Sequence, residues 1–389
     1  MLARSERLAD SYRDIFSTYE QGVSMKQVLR VLIVVVTAGL FFQFGCKDKV
    51  VDPPIKNPRD YTWRADTIAY PTNPNFLQVM MSTLWGTAPD NVYVTGGTSS
   101  GAIMFRYDGS AWTRVFFPSP PTFGQSHYDN FELLGFGPNN IYVVGGEWYW
   151  NPSPPPNYLD SSSVLHFDGS QWRQIRLPDR SGYIARIWAS STNNIYTGGR
   201  DGIWHFDGTA WRKYVIPVSD VGKKIGVDGL TGNQAGTIYV SYITHESAFA
   251  RTRHYFLSFR DGVWTKLDSA VVEPGNIQKK WGYANFWTSP SGTMYSVDAE
   301  VFRWNGLSWS VIKESVGAAL SHITGTSDSN IFVTGHFGTF LHYNGSDWFR
   351  YENIRYGDVT YISSWTDGRE VFVVGWDYGG GKSILLHGK

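Results

Sequence analysis

Short runs of β-branched and aromatic residues, alternating with polar positions, recur through residues 61–388, and each run ends at Gly, Pro, Asn or Asp. A two-residue period broken at short intervals by turn formers predicts strands rather than helices. The runs come in sets of four. One set reads LWGTAPDNVYVTGG and then MFRYDGSAWTRVFFP; the next reads LLGFGPNNIYVVGG and then VLHFDGSQWRQIRLP; the third is IWASSTNNIYTGGRDGIWHFDGTAWRKYVIP. The pattern returns as AGTIYVSYI with FLSFRDGVWTKL, as FWTSPSGTMYSVDAEVFRWNGLSWSVI, as ITGTSDSNIFVTGHFGTFLHYNGSDWFRY, and as SSWTDGREVFVVGWDYGGGKSILLH. Four strands in a unit of about 40 residues is the arithmetic of a propeller blade. The expected fold is therefore all-β, a seven-bladed β-propeller with four strands per blade.

Within a unit the first two runs meet at Asp90-Asn91, Asn139-Asn140, Asn193-Asn194 or Asp328–Asn330, and the last two at Asp-Gly or Asn-Gly, a strong hairpin signal. Trp112, Trp172, Trp211, Trp264, Trp309 and Trp348 open the outermost strand. An aromatic repeated at one register is read as core that packs blade on blade. His166, His205, His342 and His387 share one strand position, so repetition accounts for them. The seventh unit has three runs only. A matching fourth lies at residues 61–71, YTWRADTIAYP, which aligns with AWTRVFFP at 111–118. This N-terminal strand is expected to complete the last blade, because an open ring would leave two unpaired sheet edges.

Upstream, residues 26–45 read KQVLRVLIVVVTAGLFFQFG and precede Cys46. Lys26 and Arg30 form a basic start, and residues 31–44 are apolar apart from Thr37, Gly39 and Gln43. That stretch is shorter than the about 20 residues of a membrane-spanning helix and has the proportions of a signal-peptide core. With Gly45 before it, Cys46 resembles the cysteine of a bacterial lipobox, although Gln43 and Phe44 depart from the residues usual there. The resemblance implies lipidation at Cys46 and a lipid-anchored place in the bacterial cell envelope, on the periplasmic or surface face of the outer membrane. A plain secretory signal and an uncleaved anchor are the competing readings. Residues 1–24 read as an extension upstream of Met25, 25–45 as the lipoprotein-type signal, 46–58 as a polar, Pro-containing tether, and 59–389 as the propeller.

Composition narrows the chemistry. Lys plus Arg and Asp plus Glu balance at 34 each, which gives no clustered positive charge for a nucleic acid. Cys46 is the one cysteine, so internal disulfides and thiolate clusters are excluded. No cofactor is expected. GGGKS at 379–383 sits in a predicted hairpin and lacks the spacing of a phosphate loop. His245, Glu246 and His254 lie within one insertion without a fourth ligand, so no metal is assigned. No Ser–His–Asp order or Gly-x-Ser-x-Gly turn stands out.

In a propeller, the links between blades share a face with the loops joining second and third strands. Every long insertion here falls on that face: 118–130, 147–162, 217–226, 243–253 and 269–282. The opposite turns stay short. Loops that vary on a rigid scaffold are where binding residues concentrate. Trp148, Tyr149, Trp150 and Tyr158 stand among prolines as an aromatic ledge, with Phe123, His127 and Tyr128 beside it. Exposed aromatics suit a protein partner or sugar rings; folding back as a small satellite core is the structural alternative. On the innermost strands, Thr83, Glu132, Arg186, Gly229, Asn285, His322 and Ser363 are equivalent and ring the channel mouth. Glu132, Arg186 and His322 could grip a small polar ligand, or simply pair internally around water.

The Asp-Gly…Trp hairpins resemble the Asp-box turn of sialidase-like propellers, with Asp108 and Trp112 one residue closer than in that box. Over residues 61–388 the chain resembles bacterial secreted propellers with short BNR-like or regulator-type repeats. The resemblance implies a fold and no activity. The leading expectation is a non-enzymatic envelope lipoprotein that binds a protein or glycan through the long loops. The alternative is a carbohydrate-active hydrolase or lyase at the channel mouth, with Glu132, Arg186 and His322 as acid–base groups.

Overall fold

The computed structural model describes residues 55–66, 68, 79–98, 101–116, 127–151, 157–178, 182–218, 223–245, 251–272, 281–282, 285–354 and 358–389. The segment expected to be a signal, Cys46 and most of the expected tether fall outside these residues. Ile55–Lys389 form one compact unit, built of seven four-stranded antiparallel sheets.

From innermost to outermost strand, blade 1 comprises Val79–Ala88, Asn91–Thr98, Gly101–Tyr107 and Trp112–Val115, and blade 2 comprises His127–Gly135, Ile141–Asn151, Asn157–Phe167 and Trp172–Ile175. Blade 3 runs through Ile184–Ser191, Asn194–Gly199, Gly202–Phe206 and Trp211–Val215. Blade 4 runs through Lys223–Gly232, Ile238–His245, Thr252–Arg260 and Val263–Val272. Blade 5 has a two-residue inner strand, Trp287–Thr288, then Met294–Val297, Val301–Trp304 and Trp309–Lys313. Blade 6 comprises Leu320–Ser327, Asn330–Gly335, Phe340–Tyr343 and Trp348–Arg350. Blade 7 takes Val359–Thr366, Val371–Asp377 and Lys382–Gly388 from the end of the chain and Trp63–Asp66 from its start.

The split blade is present as the repeats predict. Trp63 pairs with Gly388, and the ladder continues to Asp66 opposite Leu385. Thr62 and Lys389 exchange backbone hydrogen bonds at 2.8 and 3.1 Å beyond the last strand pair. Residues just upstream reinforce the seam. Arg59 forms a bidentate pair with Asp347 at 2.9 and 3.1 Å, and the Tyr351 hydroxyl donates to Pro58 O at 2.9 Å. The ring is thus closed from within this unit by its own first strand.

Among the described residues the core divides into seven apolar clusters, one at each blade–blade interface. Blades 1 and 2 share Tyr93, Met104, Leu133, Val143 and Leu165; blades 7 and 1 share Phe372, Val374, Leu385, Met81 and Val94. Middle strands are covered on both faces, which is why they read as apolar runs rather than clean alternations. Inner-strand tryptophans Trp85, Trp188, Trp287 and Trp365 key blades 1, 3, 5 and 7 each to the next blade. A Cβ added at Gly135 would sit 2.2 Å from the Trp85 ring, and one at Gly232 would sit 2.6 Å from Trp188. Only glycine leaves room for that approach.

Repeat chemistry is equally uniform in the outer hairpins. Asp108 Oδ1 accepts from the N–H groups of Ser110 and Ala111, each at 2.9 Å, and Asp168, Asp207, Asn305 and Asn344 do the same. The Ala111 N–H, then Ser110, hold the Asp108 carboxyl down to about 2. His166, His205 and His342 each bond the Asn that opens the second strand, Asn140, Asn194 and Asn330, at 2.8, 2.7 and 3.0 Å. His387 meets Glu370 in the same way at 2.5 Å. Their rings also lie against Tyr142, Tyr196, Phe332 and Phe372. These four histidines are engaged in blade architecture.

Candidate functional site

The inner-strand position expected at the channel mouth is marked by a recurrent irregularity. In blades 1, 2, 3, 4, 6 and 7 the inner ladder shifts register just before Thr83, Glu132, Arg186, Gly229, His322 and Ser363. A bulge re-aims the side chain that follows it, and here it turns toward the next blade. Glu132 Oε2 accepts from the Ile187 N–H at 2.6 Å. Arg186 donates from Nε to Asp228 O and from Nη1 to Ala185 O, both at 2.9 Å. Asn285 donates to Ser321 O. His322 Nδ1 accepts from Ser364 N–H, and Ser363 Oγ accepts from Leu84 N–H, both at 3.3 Å. The polar ring stitches successive inner strands together by side-chain-to-backbone bonds.

The three proposed acid–base residues do share an electrostatic neighbourhood. Burial raises the Glu132 carboxyl, opposed by Arg186 and the Ile187 N–H. Burial and Arg186 together push His322 down to about 4, so the ring is neutral near pH 7 and accepts at Nδ1 with its proton on Nε2. Each member has polar atoms committed to a neighbouring blade.

The aromatic ledge takes a different form from the loop read in the sequence. Residues 141–151 and 157–167 form one continuous antiparallel ribbon, paired from Ile141↔Phe167 to Asn151↔Asn157. Its two strands are 11 residues each, against 6 and 5 for the equivalent pair of blade 3. Tyr149 stands opposite Leu159, and Tyr158 opposite Trp150. By register, positions 148, 150 and 158 share one face of the ribbon. The inner strand joins its base, with His127 opposite Trp148 and Tyr128 opposite Glu147. Alternating Trp and Tyr through 148–150 is a strand signal that the nearby Pro cluster obscured. Phe123 lies outside the described residues.

In the blade 4 insertion, His254 Nε2 meets Thr252 Oγ1 at 2.8 Å, while Glu246 lies outside the described residues. Residues 377–382, with the GGGKS glycines, form the hairpin turn between Val371–Asp377 and Lys382–Gly388, as the sequence predicts.

Sequence reasoning missed one feature on the opposite face. A cleft of about 270 Å³ between blades 1 and 2 is lined by Tyr93, Arg106, Val115, Pro138, Asn139, Phe167, Gly169 and Trp172. Arg106 stands where most blades carry His, a departure visible in the aligned repeats.

No family model and no curated protein matches this chain. Among solved structures, YCF48 bound to D1 peptide is similar over 85% of this chain and 97% of that one, at 16% identity and a TM-score of 0.57. A puromycin-hydrolyzing peptidase of Mycobacterium tuberculosis matches at 11% identity and a TM-score of 0.50, covering 79% of this chain and 53% of that one. PorZ of Porphyromonas gingivalis aligns over 74% of this chain and 44% of its own length, at 12% identity and a TM-score of 0.44. The propeller fold alone is what the first two of these likenesses show.

Proposed function

We propose that this chain is a lipid-anchored cell-envelope protein that captures a protein segment on the face bearing the blade 2 ribbon. The observation that carries the reading is the ribbon itself, which extends the second and third strands to 11 residues each and sets Trp148, Trp150 and Tyr158 on one face by register. Aromatic anchors on a paired, pre-ordered ribbon lose little freedom on binding, and such anchors dominate interface energetics. YCF48, whose structure is of a peptide complex, supports binding as a use to which this architecture is put. The lipobox-like Cys46 supports anchoring. The hydrolase or lyase reading needs Glu132, Arg186 and His322 turned toward a ligand, whereas Glu132 Oε2, Arg186 Nε and Nη1, and His322 Nδ1 are already engaged by Ile187, Asp228, Ala185 and Ser364. Binding is therefore the favoured reading.

The test is capture from native membranes by residues 55–389. Replacing Trp148, Trp150 and Tyr158 together with Ala should weaken capture at least tenfold, as loss of anchors worth about 2 kcal/mol or more requires. The thermal transition should stay within a few degrees. Undiminished capture by the triple variant would refute the choice of surface.

A further inference from the structure

We propose that the cleft between blades 1 and 2, on the face opposite the ribbon, is a binding site for a carboxylate carried on a small flat apolar group. This rests on different residues from the reading above and stands or falls separately. Arg106 occupies the strand position of His166, His205, His342 and His387. Like three of those histidines, it is anchored to the Asn that opens the second strand: Nε donates to Asn91 Oδ1 at 2.7 Å. Asn91 is buried and in turn donates to Thr87 Oγ1 at 2.7 Å, so the anchor is itself held. An imidazole ends at that bond. A guanidinium continues past it, and neither Nη1 nor Nη2 of Arg106 has an acceptor among the described residues.

The protein contains its own comparison. Blade 5 repeats the arrangement, with Tyr295 opposite Arg303 as Tyr93 is opposite Arg106. At the interface of blades 5 and 6 a carboxylate is present: Asp328 Oδ1 accepts from the Tyr295 hydroxyl at 2.8 Å. Asp328 lies two residues before Asn330, which opens the second strand of blade 6. At the interface of blades 1 and 2 the residue two before Asn140 is Pro138, which offers no side-chain acceptor. The Tyr93 hydroxyl has no hydrogen-bond partner among the described residues, and the space opens as the 270 Å³ cleft. The donors of the blade 5 arrangement are thus kept, while the internal acceptor is gone.

Guanidinium geometry matches a carboxylate with two parallel hydrogen bonds. Phe167, Trp172, Val115 and Pro138 supply the apolar walls. The volume falls just below the range of pockets for drug-sized ligands, about 300–1,000 Å³. It therefore fits a single acidic group such as a small aromatic acid or the terminal residue of a peptide.

The test uses residues 55–389, which form one unit closed by their own first strand. Saturation-transfer NMR would be recorded with phenylacetate and with N-acetylphenylalanine, each beside its neutral amide. Both acids, or one of them, should bind while the amides do not; transfer to phenylacetate alone identifies a free acid as the source, and transfer to N-acetylphenylalanine identifies a peptide end. Arg106→His installs the residue that blades 2, 3 and 6 already pair with Asn, so folding should be preserved and binding should fall at least tenfold. Pro138→Asp restores an internal acceptor and should abolish binding while raising the melting temperature. The proposal is overturned if neither acid binds at millimolar concentration, if the amides bind equally, or if either variant binds as the parent does.

Discussion

Removing residues 55–66 from the propeller would test the closure directly. The deletion strips the outer strand of blade 7 and leaves the edge of Lys382–Gly388 unpaired over the four positions that Trp63–Asp66 cover. It also removes Tyr61, which is 5% exposed, and the half-buried Trp63, whose ring lies 5.6 Å from Phe340 and 5.2 Å from Tyr351. Truncating a core aromatic typically costs about 3–5 kcal/mol. With one anchor fully buried and the other half-buried, the two account for about 5 kcal/mol, the scale of a whole domain's stability at about 5–15 kcal/mol. The Arg59–Asp347 pair adds little, since Asp347 is 60% exposed and exposed pairs are worth at most about 1 kcal/mol. Near-UV circular dichroism during heating, with size-exclusion chromatography, gives the readout. The expected result is a lower transition and association through the bared edge. A synthetic peptide of residues 55–66 added in trans should recover part of the transition by strand addition. A deletion that melts within two or three degrees of the parent and stays monomeric would refute the view that this strand holds the ring shut.

Other outcomes follow from single contacts. Gly135→Ala drives a methyl to 2.2 Å from the Trp85 ring and should cost about 1–3 kcal/mol by overpacking, whereas Gly97→Ala, with nothing within 4 Å, should be near neutral by chemical denaturation. His342 is 2% exposed, its Nδ1 has no partner among the described residues, and burial followed by Arg59 lowers it to about 4. Because the folded state resists protonation, its contribution is complete above pH ~6.5 and is lost as pH falls toward 4, up to about 3 kcal/mol. His342→Gln should flatten the pH dependence of unfolding in that window, and an unchanged slope would contradict the assignment. Cys46→Ala should abolish fatty-acid labelling and move the protein out of the membrane fraction; continued labelling would refute the lipobox reading.

Seven blades, their hairpin turns and the exchanged strand were legible in the sequence for one reason. Every blade meets the same local demands, so Asp-Gly turns, outer tryptophans and buried middle strands recur at a fixed register. A missing fourth run at one end and a spare one at the other could then be matched by pattern alone. The long blade 2 ribbon was harder to read, because prolines at 152 and 154–156 mark a turn without saying how far pairing extends on either side of it. The same blade numbering also identified Glu132, Arg186 and His322 as equivalents. Whether such a set forms a reactive site depends on where the inner-strand bulge points each side chain. The acceptors and donors that meet them are backbone groups, mostly of the neighbouring blade, from Ile187 to Ser364, and backbone partners leave no trace in residue identity. The cleft at Arg106 has the same character. The exchange of His for Arg is visible in one repeat and that of Asp for Pro in another, but only the packing of blade 1 on blade 2 brings the uncompensated donors and the missing acceptor to one place.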